Sequence, residues 1–413
     1  MTNLREKLQS LGYKKDNGSS KSETNVLTDN HGQTRQVNDS TFQDRLYKVI
    51  QSYPLPYPHG EVLIEDSAPL GMIGEWAKTP QISALTLSDV VFIDTETSGL
   101  VGGTGTFAFM AGIGLYKEKR FEVHQIFLPE PVDEFAFLEE IHRILSPFPV
   151  IVTFNGKSFD LPLLQTRFIL NRMQTIPEEK NHIDLLHLAR RFWRERLESC
   201  SLSELEKQIL HVQREEQEVP GYLIPEIYFR YLKTKDFSLL NGVFYHNRVD
   251  ILSMAALFQF MSRVLSQPEI FPLHSMDLAS VARLYHDMGY WDMASHLYSQ
   301  ALSEEMPQDI LIKTFLRNAE IHKKKGNLPE AIELWKKAAE YGNLEAHLEL
   351  AKIYEHTLKN LEIALEWANR AFTLCNTLPL PLWKRKEWLR EISHRIQRLE
   401  QKKRKDSYGT TPL

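Results

Sequence analysis

Cysteine is nearly absent: Cys200 and Cys375 are the only two in 413 residues. That scarcity excludes a disulfide framework and a thiolate metal cluster and suits a reducing compartment, so a cytoplasmic location is expected. No apolar run reads as long enough to span a membrane. Met1 to Gln9 is charged and amphipathic and lacks the apolar centre of a secretory signal, and no membrane partner is expected. An excess of one charge is also missing. The chain has 49 Lys and Arg against 54 Asp and Glu, a net charge of −5, which speaks against a general nucleic-acid coat but leaves local basic patches free to act. Arg190, Arg191, Arg194 and Arg196 form one such patch, and Arg390, Arg395, Arg398 and Lys402 to Lys405 another; a solvated helix face is the ordinary fate of such runs and the reading for the second. Gly12 to Ser40 holds few apolar residues, too few to offset the entropy of ordering, so residues 1–41 are expected to be a disordered arm.

What is present centres on Val90-Val91-Phe92-Ile93-Asp94-Thr95-Glu96-Thr97-Ser98-Gly99-Leu100. Four strand-favouring apolar residues run into two carboxylates and stop at a Ser-Gly turn signal, the pattern of a buried strand with acid at its exit. Side chains alternate along a strand, so Asp94 and Glu96 share a face and Thr95 points away. Like charges this close are costly unless a cation lies between them. A pair of solvated strand-end acids would read the same way, and the rest of the chain must decide.

Before that strand, Phe42 to Ile50 reads as a short helix and Tyr53 to Pro58 as an extended, proline-fixed connection, so residues 42–89 are a lead-in packed on the first domain. After it, Phe107 to Tyr116 and Phe121 to Leu128 form a hairpin about a charged turn. The intervening Val101 to Thr106 is glycine-rich but lacks the ending of a nucleotide loop; it reads as a permissive turn beside the acids. Asp133 to Ser146 is an amphipathic helix with Phe135, Leu138, Ile141 and Leu145 on one face. Val150 to Phe154 is a second buried strand leading into Asn155-Gly156-Lys157-Ser158-Phe159-Asp160 and a helix. Asp160 alone would suit a helix cap. His182 to Leu186 reads as a short fifth strand, with a helix from Leu185 to Arg196 and further helices at Ser201 to Leu210, Pro225 to Leu232 and Leu239 to Leu265. In the last of these, His246 and Asp250 are four apart and share a face. Strands feeding helices after an opening hairpin indicate an α/β domain with a mixed five-stranded sheet flanked by helices, assigned to residues 90–268.

From Leu278 the pattern becomes paired helices. Ala294 and Ala301, Ala331 and Ala338, and Ala364 and Ala371 keep a seven-residue offset, and successive units start 37 and 33 residues apart, close to the roughly 34 of tetratricopeptide repeats. Residues 274–402 are read as an all-α helical repeat domain of that type with a closing helix over Pro381 to Lys402, and residues 403–413 as a basic, polar tail.

The acids together carry a resemblance. Asp-x-Glu on a first strand, Asp after Asn-x-x-x-Phe and Asp on a late helix preceded by His resemble, in order and in element type, the DEDD 3′-5′ exonucleases of the ribonuclease H-like superfamily. Phe92 to Thr106, Val152 to Leu164, His182 to Arg191 and His246 to Asp250 are similar to its bacterial YprB-type subgroup, whose members can carry C-terminal tetratricopeptide repeats. The resemblance implies a metal-dependent exonuclease on single-stranded or frayed 3′ DNA ends, acting in repair with a helicase as partner through the repeats. It implies Asp94, Glu96 and Asp250 on one ion, with Asp94 shared with a second ion held by Asp160. Oxygen donors without thiols select Mg²⁺ or Mn²⁺, two per site. In DEDD enzymes the base is a His five residues before the last Asp or a Tyr four before it; here Tyr245 is five before and His246 four before. His246 is favoured because four residues keep it on the Asp250 face and imidazole takes a proton near neutral pH, with Tyr245 as the alternative. Thr97, Asn155 and Lys157 are candidate substrate contacts. A scaffold reading, in which a decayed nuclease fold presents repeats to a partner, competes, but decayed sites usually lose an acid and all four are here. RNA trimming on the same metal site is a third reading.

Overall fold

The computed structural model describes residues 26–28, 34–43, 45–99, 105–175, 180–215 and 218–408, with backbone alone for 26–43 and 406–408. The chain divides into two compact units, Met1–Phe271 and Pro272–Leu413.

The strands of the first unit are β1 (Val26–Thr28), β2 (Thr34–Gln43), β3 (Leu46–Pro54), β4 (Tyr57–His59), β5 (Val62–Ile64), β6 (Val90–Thr97), β7 (Ala108–Lys117), β8 (Arg120–Phe127), β9 (Val150–Thr153) and β10 (Asn181–Asp184). Eight of them form one mixed sheet in the order β1-β2-β3-β8-β7-β6-β9-β10, and β4 and β5 pair separately. The five expected strands are there, with β9 and β10 parallel beside β6 and the β7–β8 hairpin antiparallel on its other side. Three more extend the hairpin edge. The expected arm and short helix are thereby corrected: residues 26–28 and 34–43 are strand, and Leu46–Pro54 pairs along β8. An unpaired β8 would leave a row of backbone donors and acceptors open, and β3 satisfies them. The rest of residues 1–41, and 100–104 of the glycine loop, lie outside the described residues.

β6 is central and covered on both faces, which is why Val90 to Ile93 are all fully buried. The helices are α1 (Glu134–Leu145), α2 (Asp160–Leu170), α3 (Leu185–Trp193), α4 (Ile224–Thr234) and α5 (Asn241–Ser266). Val91 and Ile93 share a core with Phe137, Ile141, Leu164, Phe168 and Tyr228 of α1, α2 and α4. Phe92 points to the other face, where its ring meets Phe258 of α5 at 5.6 Å. Phe135, expected on the buried side of α1, is exposed; Phe137 faces the core instead. The expected helix over Ser201 to Leu210 is a single turn, Leu202–Leu205, followed by a wider turn through Leu210. Contrary to the expectation of no such run, the stretch including α5 is long and apolar enough to cross a bilayer, but it is mostly buried within this fold.

The second unit consists, among the described residues, of helical hairpins. They are α6 (Ser275–Met288) with α7 (Trp291–Ala301), α8 (Gln308–Lys324) with α9 (Leu328–Glu340), and α10 (Leu344–His356) with α11 (Leu361–Thr377), followed by α12 (Leu382–Tyr408). All six offset alanines are fully buried, so the absence of a larger side chain is what lets neighbouring helices approach. Gly289 and Gly326 end α6 and α8 with φ of +88° and +78°, a conformation that favours glycine.

The final helix runs past the expected end at Lys402 into the expected tail, and part of its basic face is not solvated. Arg395, Arg398 and Lys402 turn onto the fully buried Glu355 of α10, at 3.0, 2.6 and 2.8 Å. Burial opposes the charge on Glu355. Hydrogen bonds from Arg398 and Lys402 outweigh burial and hold its carboxyl down at about 2, below the ordinary 4.5. A depressed carboxyl contributes stability that is complete above the unfolded value and lost as pH falls through the folded one. Glu355 should therefore stabilise this unit fully above pH 4.5 and lose that effect towards pH 2. Glu355→Gln should cost about 3–5 kcal/mol at neutral pH, because three cations lose their counter-charge. It should also remove this acid-side loss, as chemical denaturation of both proteins from neutral pH to pH 2 would show.

Candidate active site

The end of β6 distributes its side chains to both faces of the sheet. Asp94 and Glu96 follow Phe92 onto the α5 side, as alternation requires, while Thr95 follows Ile93 towards α2. Thr95 has a task there: its backbone N–H and its hydroxyl donate to Asp160 Oδ1 at 3.1 and 2.5 Å. Asp160 is the first residue of α2 and does not cap it. Its carboxylate reaches the strand end from the face opposite Asp94 and Glu96. The turn that delivers it is held by Asp184 at the end of β10, which accepts from the backbone N–H of Asn155 at 2.8 Å and of Lys157 at 3.0 Å and also caps α3 through Leu186. Asn155 sits at φ +64°, which asparagine tolerates better than most residues. A side chain on Gly156 would strike Thr153.

From α5 come Asn247, which donates to Asp94 Oδ2 at 3.0 Å, and Asp250 and His246, whose Oδ2 and Nε2 lie 3.6 Å apart. His246 Nδ1 meets Glu218 Oε1 at 2.7 Å. Tyr245 faces elsewhere. Its buried hydroxyl accepts from the Glu215 backbone N–H at 2.7 Å and its ring carries the Arg248 guanidinium. Sequence reasoning did not single out Arg214, which joins these groups: it pairs with both oxygens of Glu206 at 2.7 Å, with Glu218 at 2.8 Å and with Asp250. Within Arg-Glu-Glu it reads as part of a charged surface loop, and nothing in the local pattern signals that it turns inward.

Two clefts flank the carboxylates. One of about 570 Å³ is lined by Asp94, Asp160, Thr97, Asn155 and the exposed ring of Phe159. The other, about 630 Å³, is lined by Asp250, His246, Arg214, Glu218 and Lys207. Thr97 lines the first but spends its hydroxyl proton on the Gly99 carbonyl at 2.8 Å. Lys157 is exposed beside the turn, lines neither cleft and makes no ion pair with Asp160 or Glu96. Of the Arg190 cluster, Arg194 is exposed and meets Glu195 at 3.6 Å.

The acids feel one another. Burial, reinforced by Glu96, Asp250 and Asp160, raises the Asp94 carboxyl well above its usual range. Burial also pushes Glu96 up to about 8, with His246 opposing and Asp250 and Asp160 adding to the rise. Asp160 is raised by burial despite the Thr95 bonds. For His246 burial acts in the opposite sense, but the Glu218 hydrogen bond and the charges of Asp250 and Glu96 prevail and raise it to about 9. This deficit of positive charge, on donors that are all oxygen, fits a divalent cation of the hard, oxygen-seeking kind. Among the described residues no three acids, histidines or cysteines are drawn into a closed cage. Asp250 meets the Arg214 guanidinium and, at 3.6 Å, the His246 ring.

Glu96 and His246 both hold protons in the folded chain that the unfolded chain has released, Glu96 between pH 4.5 and about 8 and His246 between 6.5 and about 9. A raised pKa gives stability that is present below the unfolded value and lost as pH rises through the folded one, so the contribution of these two groups to metal-free stability should fall from about pH 4.5 to about pH 9, against the rise that the lowered, buried His59 gives up to pH 6.5. Denaturation curves in chelator should show the Glu96 part of that fall as the difference between wild type and Glu96→Gln. That variant should flatten the lower part of the fall, and saturating Mg²⁺ should raise stability most at the alkaline end.

The fold agrees with the comparisons to known proteins. A family model described as the RNase H superfamily matches residues 91–262. The uncharacterized protein YprB of Bacillus subtilis (strain 168) is 34% identical over 342 residues, 78% of this chain and 79% of its own. Among solved structures, the family B DNA polymerase of the hyperthermophilic archaeon Pyrobaculum calidifontis aligns at 14% identity and a TM-score of 0.32, over 51% of this chain and 29% of that one, too slight a likeness to carry an argument. The chain belongs to the family of the YprB protein, and residues 91–262 of its first unit match the RNase H superfamily.

Proposed function

We propose that the protein is a divalent-metal-dependent 3′-5′ exonuclease of the DEDD kind, hydrolysing single-stranded or frayed DNA ends in the course of repair. The observation that carries this reading is the gathering of Asp94, Glu96, Asp160 and Asp250 from a strand end and two helices into mutual electrostatic contact. These four would hold Mg²⁺ or Mn²⁺, two ions per site, and such a pair supplies an activated water on one side of the scissile phosphate and stabilisation of the departing 3′ oxygen on the other. Water adds to phosphorus, the P–O3′ bond breaks, and a 5′-mononucleotide leaves a shortened 3′-hydroxyl end. The choice of DNA rests on the resemblance of the motifs.

His246 is the base in this scheme. Glu218 fixes the proton on Nδ1, which leaves Nε2, on the Asp250 side, to accept a proton from water. Against burial, the Glu218 hydrogen bond and, after it, the charges of Asp250 and Glu96 raise its pKa; neutralising Asp250 and Glu96 would remove their share of that rise and bring the imidazole back towards the range in which it acts as a base. Tyr245, with its hydroxyl tied to the backbone and its ring under Arg248, serves packing. Asn155 and Thr97 would meet substrate in the first cleft and Lys157 a neighbouring phosphate at its rim. The hairpins of the second unit, with their buried alanines, suit tetratricopeptide-type repeats that dock a partner, a helicase by the resemblance, in the cytoplasm.

The test is hydrolysis of 5′-labelled single-stranded DNA, with RNA as the comparison, in Mg²⁺, Mn²⁺ or chelator. Expected are products shortened stepwise from the 3′ end, lost in chelator and in Asp94→Asn or Asp160→Asn. His246→Ala should slow cleavage by about 10² or more at neutral pH while Tyr245→Phe changes it little. Intact substrate in metal, or full activity of Asp94→Asn, would overturn the proposal, and the opposite ranking of the His246 and Tyr245 variants would reassign the base.

A further inference from the structure

Asp94 lies opposite Gly112 in the β6–β7 register. A Cβ on Gly112 would sit 2.3 Å from Asn247 Oδ1, 2.8 Å from its Cγ and 2.9 Å from its Nδ2, and these are its three nearest atoms. The missing side chain opens the gap through which Asn247 of α5 reaches Asp94. Asn247 and Gln125 are both buried, and their amides form a chain with one possible direction. Gln125 Nε2 donates to the Phe244 carbonyl at 2.8 Å and to Asn247 Oδ1 at 3.1 Å. A backbone carbonyl only accepts, so Gln125 must present its NH₂ here, Asn247 must turn its oxygen towards it, and the Asn247 NH₂ must face Asp94 Oδ2.

We infer that Asn247 is a positioning residue for metal binding. Admitted by Gly112 and oriented by Gln125, it holds the Asp94 carboxylate in one orientation with its remaining lone pairs available for ligation. The inference rests on the reading of Asp94 as a metal ligand. Hydrogen-bond partners of metal ligands of this sort commonly account for 10- to 100-fold in metal affinity, because a carboxylate free to rotate must be ordered when the ion arrives.

The test is the affinity of the full chain for Mn²⁺, read by electron paramagnetic resonance without nucleic acid, in wild type, Asn247→Ala, Gly112→Ala and the double variant. Thermal melting checks the fold, and Asn247→Ser replaces Asn247→Ala if the latter does not fold. Each single variant should weaken Mn²⁺ binding by about 10- to 100-fold. The double variant should be no weaker than Asn247→Ala alone, since Gly112→Ala acts only by displacing that side chain. Affinity of folded Asn247→Ala within about threefold of wild type, or losses that multiply in the double variant, would overturn the inference and leave the nuclease reading standing. Failure of wild type to bind Mn²⁺ would remove the metal-ligand role of Asp94 and the inference with it.

Discussion

Mutual repulsion among four carboxylates at the end of one buried strand is the constraint to which the surrounding structure responds. Two unit charges 4 Å apart in an effective dielectric of about 20 repel by about 4 kcal/mol, whereas a hydrogen bond donated to a carboxylate returns about 1.5–3 kcal/mol. Thr95 and Asn247 therefore orient Asp160 and Asp94 without being able to keep every acid ionised. The fold adds positive charge where it can: Arg214 and a raised His246 stand beside Asp250. Arg214 is in turn anchored by Glu206, which is almost wholly buried, so a loop that carries no acid of the proposed metal set fixes the electrostatics of the last one. In the proposed reading a divalent cation would answer the remaining deficit with more charge than any side chain offers.

Strand alternation explains how one short motif can organise so much. Residues of β6 that alternate between the α2 and α5 faces become, at its exit, acids on one face and an anchor for a third acid on the other. Asp184 and Gly156 shape the turn after β9 so that Asp160 arrives at the same end. The helical unit needs none of this chemistry. Buried alanines set its helix spacing, and Glu355 ties its last helix by charge.

Much of this was legible in the sequence because it is periodic or local. The five central strands, the helix after Asn155-Gly156, the common face of His246 and Asp250, and the alanine offsets all follow from spacing of two, of four or of seven. What escaped was decided by distant partners. Phe42 to Ile50 carries both helical and strand spacing, and the open edge of β8, some 75 residues downstream, selects the strand. Arg395, Arg398 and Lys402 look like a solvated face until Glu355, on another helix, is seen to draw them in. Arg214, Gln125 and Gly112 matter through atoms more than thirty residues away, Gly112 by a side chain it lacks.

The central claim, that these carboxylates gather to hold divalent cations, is tested most directly by anomalous scattering from crystals of the protein grown with Mn²⁺. The account predicts two Mn²⁺ ions about 4 Å apart, with oxygen ligands from Asp94, Glu96, Asp160 and Asp250 and with the Arg214 guanidinium turned off Asp250. Crystals that show no Mn²⁺ on Asp94 or Glu96, with Arg214 still bound to Asp250 at saturating metal, would contradict it.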